Sequence, residues 1–435
     1  MKTFIKLFFL LAATTLLFTQ GCVQDKCKLN RTYFQYTPVY MSYEEFRGAF
    51  ANEAPRDLEN PGKLYFKGNY IFVSEINRGI HVIDNTDPAN PVNINFINVP
   101  GNRDIAAKGN TLYADSHLDL LAIDISDPTN ARITRRIEDI FPYMQWYNGY
   151  WADPALGVVS EWVGTEITEE LDCDQAGGWG GWGVPWLEDF VVVNDLSTLG
   201  GGGGGGNGLS VNNLQSGVGG SMARFALYDN YLYTVTEQDL KLFNISTLSE
   251  PVHQLDVAIG WGIETIFPYT DKLFIGSQTG MFIYDLSNPM SPNYLSQFAH
   301  VTSCDPVVVQ GERAYVTLRG GTQCNGFTNQ LDVLNIANLL NPVLIKSYPM
   351  EGPYGLGIDD NTLFICDGDA GLKVFDATDD LKIDQNQLAH FKDINAFDVI
   401  PLNGLLLMIG SDGLYQYDYV DAENINLVSK IPVVK

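Results

Sequence analysis

The chain has 435 residues, of which 45% are hydrophobic, 12% aromatic and only 18% charged. That balance excludes a coiled coil and an intrinsically disordered chain, both of which carry more charge and fewer aromatics. Twice as many acids as bases, 52 against 26, give a formal charge of −26 at pH 7, and so acidic a surface excludes nucleic acid, whose phosphates need a basic one.

Residues 1–21 read as a signal peptide: Lys2 and Lys6 make a charged start, and residues 7–18 an apolar stretch too short to span a bilayer. The run Phe18-Thr19-Gln20-Gly21-Cys22 resembles a bacterial lipobox. That resemblance implies that Cys22 is lipidated and becomes the mature N-terminus, held to the membrane by about 0.8 kcal/mol per buried methylene. The expected location follows: exported, membrane-anchored, on the outer membrane and facing the periplasm or the surface. Residues 22–61 are expected to form a tether with one short helix over 43–51, opened by the capping box Ser42-Tyr43-Glu44-Glu45 and stopped by Pro55 and Pro61.

From residue 62 one unit is written again and again. Residues 68–91 read GNYIFVSEINRGIHVIDNTDPANP, 109–128 GNTLYADSHLDLLAIDISDP, 269–292 YTDKLFIGSQTGMFIYDLSNPMSP and 361–376 NTLFICDGDAGLKVFD. Looser copies lie at 228–246, 311–342 and 403–418. Each is a hairpin of two short runs, followed by Pro or other turn residues that end the ladder. The closing Asp or Asn falls at Asp84, Asp124, Asn244, Asp285, Asn335, Asp376 and Asp418, mostly 40 to 42 residues apart. An apolar run before and another after each hairpin give four strands per period. The prediction is an all-β, seven-bladed β-propeller of four-stranded antiparallel blades over residues 62–435, which at this period needs about 280 residues. The second strands IHVID, LLAID, MFIYD and LKVFD, often followed by Ser-Asp/Asn-Pro, resemble the LVIVD-repeat family. The resemblance implies the propeller fold and leaves function open, because the family includes members without an assigned role.

Between Asp124 and Asn244 the rhythm breaks. Residues 140–218 contain no second hairpin of the repeated kind, so they are read as an insertion between blades two and three rather than as hidden blades. They offer one strand pair near 157–170, seven consecutive glycines at 200–206, and six of the seven tryptophans between 146 and 186. Trp146, Trp151, Trp179, Trp182 and Trp186 are therefore candidates for an aromatic binding loop. Cys304, just before a first strand, and Cys324, in the expanded hairpin of the same blade, form the expected disulfide of an exported chain. Cys366, inside a strand, reads as a small buried hydrophobe.

No nucleophile elbow, P-loop or dinucleotide fingerprint is present. The histidines His81, His117, His253, His300 and His390 are scattered over different repeats without metal-ligand spacing. Residues 172–177 begin like a calcium loop, but Ala176 and Gly183 stand where ligands are needed. What remains is a ring of charges near the starts of first strands: Lys63, Asp104, Arg224, Glu264, Asp305 and Asp398. Such a ring can bind a divalent cation or supply acid and base; equally, mixed charges at a wet channel mouth satisfy one another. No cofactor is otherwise expected. The leading reading is a cell-envelope binding module for a protein or glycan; the alternatives are a hydrolase or metal-dependent enzyme at the channel mouth and a structural subunit of an envelope assembly. In an antiparallel meander the first-strand starts, the hairpin loops and the blade connections meet on one face. That face is expected to hold any ligand.

Overall fold

A computed structural model describes residues 28–143, 146–172, 217–301, 303, 306–321 and 328–434. The described residues fall into two compact units, the smaller made of residues 28–39, 146–152 and 161–172 and the larger of the rest. None of the described helices is long and apolar enough to cross a membrane.

The larger unit is a β-propeller of seven antiparallel sheets, each built from four strands consecutive in the chain. Blade one comprises Pro61–Lys67, Tyr70–Glu75, Gly79–Asp84 and Val92–Asn98. Blade two runs from Ile105–Lys108 to Arg132–Ile137, and blade three opens at Phe225–Tyr228. Blades four, five and six open at Ile263–Tyr269, Val307–Gln310 and Leu356–Asp359, and blade seven spans Asp398–Leu402 to Asn426–Pro432. The second and third strands read as continuous apolar runs because both faces are covered by neighbouring blades: in Lys272–Ser277 and Gly280–Asp285 only the terminal Lys272 and Asp285 escape full burial. Fourth strands are more exposed, and Val252–Ala258 alternates between half-buried and exposed residues as an edge strand does.

Blade one is wider than the rest. Ala51–Glu53 adds to its outer edge and Val218–Gly219 to its inner one, where Val218 pairs with Phe66 and Gly219 with Tyr65. The ring closes without a shared blade. Leu58 bridges Val433, Asn85 and Gln416 exchange side-chain hydrogen bonds at 2.9 and 2.7 Å, and Leu64, Ile71, Val73 and Ile83 pack on Ile400, Leu407, Ile409 and Leu414.

Two local expectations change. The predicted helix is shorter, Tyr43–Gly48, with the Ser42 hydroxyl accepting from Glu45 N at 3.2 Å as expected; residues 51–53 pair instead with the free edge of blade one. The strand pair expected near 157–170 is one long strand, Val158–Asp172, whose partner is Lys28–Met41 within the presumed tether. A partner over a hundred residues upstream leaves no local trace.

Candidate functional sites in the channel and on the aromatic hairpin

The starts of the first strands do converge. Lys63 lies within electrostatic reach of Asp104, Asp398, Arg224 and Glu264, all five being ring candidates; Asp305 lies outside the described residues. Asp104 and Asp398 are buried and Lys63 is half-buried, and desolvation is the largest influence on the ionisation of all three. It lowers the Lys63 pKa. It raises Asp104 to about 7 and Asp398 to about 6, against the attraction of Lys63 and their hydrogen bonds. Nearby Asp115 is also raised by burial, although its carboxylate accepts from Arg103 N at 2.7 Å and Asp104 N at 2.9 Å.

The carboxylate oxygens are not idle. Asp104 accepts from Ile105 N at 2.7 Å and from Arg224 N. Asp398 Oδ1 accepts from Val399 N at 2.9 Å and Ser221 N at 3.0 Å, and Met222 N also donates to this carboxylate. Ser221 Oγ in turn accepts from Leu356 N at 2.6 Å. Residues 217–224, at the end of the insertion and just after it, thus run from the inner edge of blade one to blades six and seven and back to blade three. Small residues make this path fit. A Cβ on Gly220 would stand 2.1 Å from an Asp398 oxygen, and one on Gly217 2.3 Å from the Tyr65 ring. The sequence announced the ring but not the segment that occupies it; glycines at 217, 219 and 220 were the available signal.

Glu264 accepts from Gln278 Nε2 at 3.0 Å. The ring therefore fastens first strands and the 217–224 segment, and among the described residues no group of three or more His, Cys, Asp or Glu is placed to hold a metal. The histidines are locally bound: His81 meets Glu75 at 2.9 Å, and His253 meets Asp256 at 2.8 Å. Cys366 is fully buried, its thiol pushed well up by burial. Cys22, Cys304, Cys324, Trp179, Trp182 and Trp186 lie outside the described residues.

Trp146 and Trp151 belong to the smaller unit. Residues 146–151 read Trp-Tyr-Asn-Gly-Tyr-Trp, and Asn148 and Gly149 take φ of 47° and 87°, as a two-residue type I′ hairpin turn requires. The adjacent Asn148 and Gly149 are the sequence signal for this hairpin. Cross-strand pairing sets Trp146 beside Trp151 and Tyr147 beside Tyr150, on opposite faces of the hairpin. The tyrosine face is packed: Tyr147 stacks on Trp162 at 5.4 Å, both tyrosines meet Tyr36 edge-on, and Tyr150 Oη donates to Phe34 O at 3.0 Å. The tryptophan face is open, with Trp146 57% and Trp151 70% exposed.

Comparison with known proteins agrees with the repeat reading. Residues 62–98 and 101–137 match the LVIVD repeat. No curated protein matches the chain. Among solved structures it is similar to a functionally unknown protein from Desulfotomaculum acetoxidans DSM 771, with 10% identity, TM-score 0.49 and coverage of 84% of this chain and 95% of that one. It is also similar to Kluyveromyces lactis Hsv2, with 10% identity, TM-score 0.47 and coverage of 85% and 99%. The computationally designed Ika8 protein has 9% identity, TM-score 0.47 and coverage of 88% of both chains.

Proposed function

We propose that this LVIVD-repeat propeller is an exported interaction module of the cell envelope, anchored through lipid on Cys22 and recognising a protein or glycan partner. The observation that carries the reading is the pair Trp146 and Trp151, two large apolar side chains set side by side and exposed on one face of a hairpin. Indoles in such a position bury large areas on association and are the commonest energetic anchors of binding surfaces. Their mounting is ordered beforehand, because the opposite face is pinned by Tyr36, Trp162 and the Tyr150 hydrogen bond; little conformational entropy remains to be lost on binding. The channel supports an enzymatic reading less well. Asp104 and Asp398 have carboxylates that already accept main-chain N–H groups of the chain itself.

The test is a pull-down of the intact protein from its own membranes. Trp146→Ala/Trp151→Ala is expected to lose a partner or glycan that the wild type retains, at unchanged melting temperature; equal retention by the double variant refutes the aromatic anchor. Cys22→Ser is expected to move the protein into the soluble fraction. Continued partition with membranes would refute the lipid anchor.

A further inference from the structure

The seventh tryptophan, Trp261, lies in the connection from blade three to blade four, between the strands Val252–Ala258 and Ile263–Tyr269. The local sequence is Gly260-Trp261-Gly262, and the tryptophan is 54% exposed in a fold that buries most of its large aromatic rings. Strand direction puts this connection on the face of the first-strand starts and the hairpin loops, the face expected to hold a ligand.

Main-chain hydrogen bonds clamp this tip between two hairpin loops. Ile259 N donates to Gln238 O and Ile263 N to Glu237 O, both at 3.0 Å, so the stretch lies along the loop of blade three. On the other side Gly262 O accepts from Gln278 N at 2.8 Å, in the loop of blade four. Gly262 has φ of 67°, and a Cβ there would stand 3.0 Å from the Gln278 side chain, so glycine is what lets the chain pass between the two loops. An indole on so fixed a mounting loses little freedom when a ligand meets it. Acids stand beside it. Glu237 is exposed and makes no ion pair among the described residues; Arg103 is within its electrostatic reach but gives Nε to Asn77 Oδ1 at 3.0 Å. Three residues on from Trp261, the half-buried Glu264 adds a second carboxylate, which accepts from Gln278 Nε2 at 3.0 Å.

We propose that Trp261 and Glu237 together receive a lysine or arginine side chain of a basic partner protein. The face of an indole attracts a cation more strongly than any other aromatic ring, and the N–H groups of that cation can donate to a carboxylate at its side. The bond from Ile263 N to Glu237 O sets the two residues at neighbouring positions on the rim, so one long side chain reaches both. The formal charge of −26 draws such a partner in from a distance. A neutral sugar would use the indole and leave the carboxylate uncompensated, and an anion would be repelled by it. The inference stands whatever Trp146 and Trp151 bind.

The test titrates the intact protein with hexaarginine, hexalysine and the neutral isostere hexacitrulline by calorimetry at low ionic strength, while NMR follows the Trp261 indole N–H, assigned by its loss in Trp261→Ala. At least one cationic peptide is expected to bind and shift that signal, and hexacitrulline is not. Trp261→Ala and Glu237→Gln are each expected to weaken the binding by about twofold to fivefold at unchanged melting temperature. Trp261→Tyr keeps a π face and should retain most of the affinity. Glu423→Gln makes the same change of charge on the exposed turn of blade seven and should retain all of it. Failure of both cationic peptides to bind, equal binding of hexacitrulline, an unmoved Trp261 signal, or a loss in Glu423→Gln as large as in Glu237→Gln would each overturn the proposal.

Discussion

Aspartates at two kinds of position carry the fold with opposite electrostatic signs. The residue that closes each third strand, Asp84, Asp124, Asn244, Asp285, Asn335, Asp376 or Asp418, accepts the backbone N–H two residues on at 2.8 to 3.3 Å. This is why only Asp or Asn stands there: a short side chain with a fixed acceptor closes the turn that sends the chain to the outer strand. Asp84 is lowered by the Thr86 side-chain and backbone hydrogen bonds, and Asp285 by Ser287 and Lys272. Such groups favour the folded state above the unfolded carboxylate pKa and lose that contribution as pH falls through their folded values. Asp104 is the reverse, raised from 3.8 to about 7 mainly by burial. Between those values the folded chain holds a proton that the unfolded chain has released, so protonation stabilises the fold as pH falls. Asp104→Asn, neutral at every pH, lacks this response. Thermal melts from pH 8 to pH 5 are therefore expected to show the wild type gaining on the variant as pH falls; a gap independent of pH would refute the assignment. The turn-closing residues were legible because they recur with the period. The grip of Asp104 on Arg224 N, 120 residues away in sequence, belongs to one blade and has no repeat to reveal it.

Elements repeat more closely in structure than in sequence. In all seven blades the ladder between third and fourth strands shifts register one or two residues before the turn-closing position, as at Val82/Ile83, Leu242/Phe243, Ile283/Tyr284, Val333/Leu334, Val374/Phe375 and Gln416/Tyr417, and on the outer strand of blade two at Ile133/Arg135. The extra residue falls on the outer strand, where a bulge bends the edge and discourages strand addition by another molecule. The sequence hides this device, since residues as different as Ile94, Thr134, Gln254 and Leu388 occupy the bulge. The hairpin of the smaller unit is the opposite case, with its turn written in two residues. Gly149 has φ of 87° and open space around the position of a Cβ, so Gly149→Ala isolates the conformational cost, about 1 to 2 kcal/mol. Amide exchange at Tyr147 and Tyr150, the hydrogen-bonded pair that flanks the turn, is expected to quicken correspondingly, about fivefold to thirtyfold. Unchanged exchange would show that the turn is held by something other than its own geometry.

The molecule's larger unit is a ring in which six of the seven blades repeat one task toward the next. Asn95 donates to Pro128 O at 2.8 Å, Tyr113 to Leu248 O at 2.8 Å, Tyr233 to Pro289 O at 2.7 Å, Ser296 to Leu339 O at 2.6 Å and Tyr348 to Asp380 O at 2.6 Å, each reaching the turn after the next blade's third strand. Ser429 donates to Pro88 O at 2.7 Å and so treats the junction of blades seven and one as an ordinary one. Seven blades could be counted from the period, but the manner of closure could not, because contacts between residue 85 and residue 416 leave no periodic mark. With the four main strands of every blade drawn from one continuous stretch, the seam is held by packing and these hydrogen bonds rather than by a strand exchanged between the ends of the ring. Leu58 is fully buried in the seam, and its backbone receives Val434 N at 2.8 Å. Leu58→Ala is expected to cost about 2 to 5 kcal/mol through the cavity it leaves. Blades in a ring depend on their neighbours, so a weakened seam exposes blades one and seven first. Native-state hydrogen exchange of the variant should then show these two blades losing protection ahead of blade four, on the far side of the ring. Protection lost evenly around the ring, or a change within about 0.5 kcal/mol of wild type, would mean that closure is secured elsewhere than at this junction.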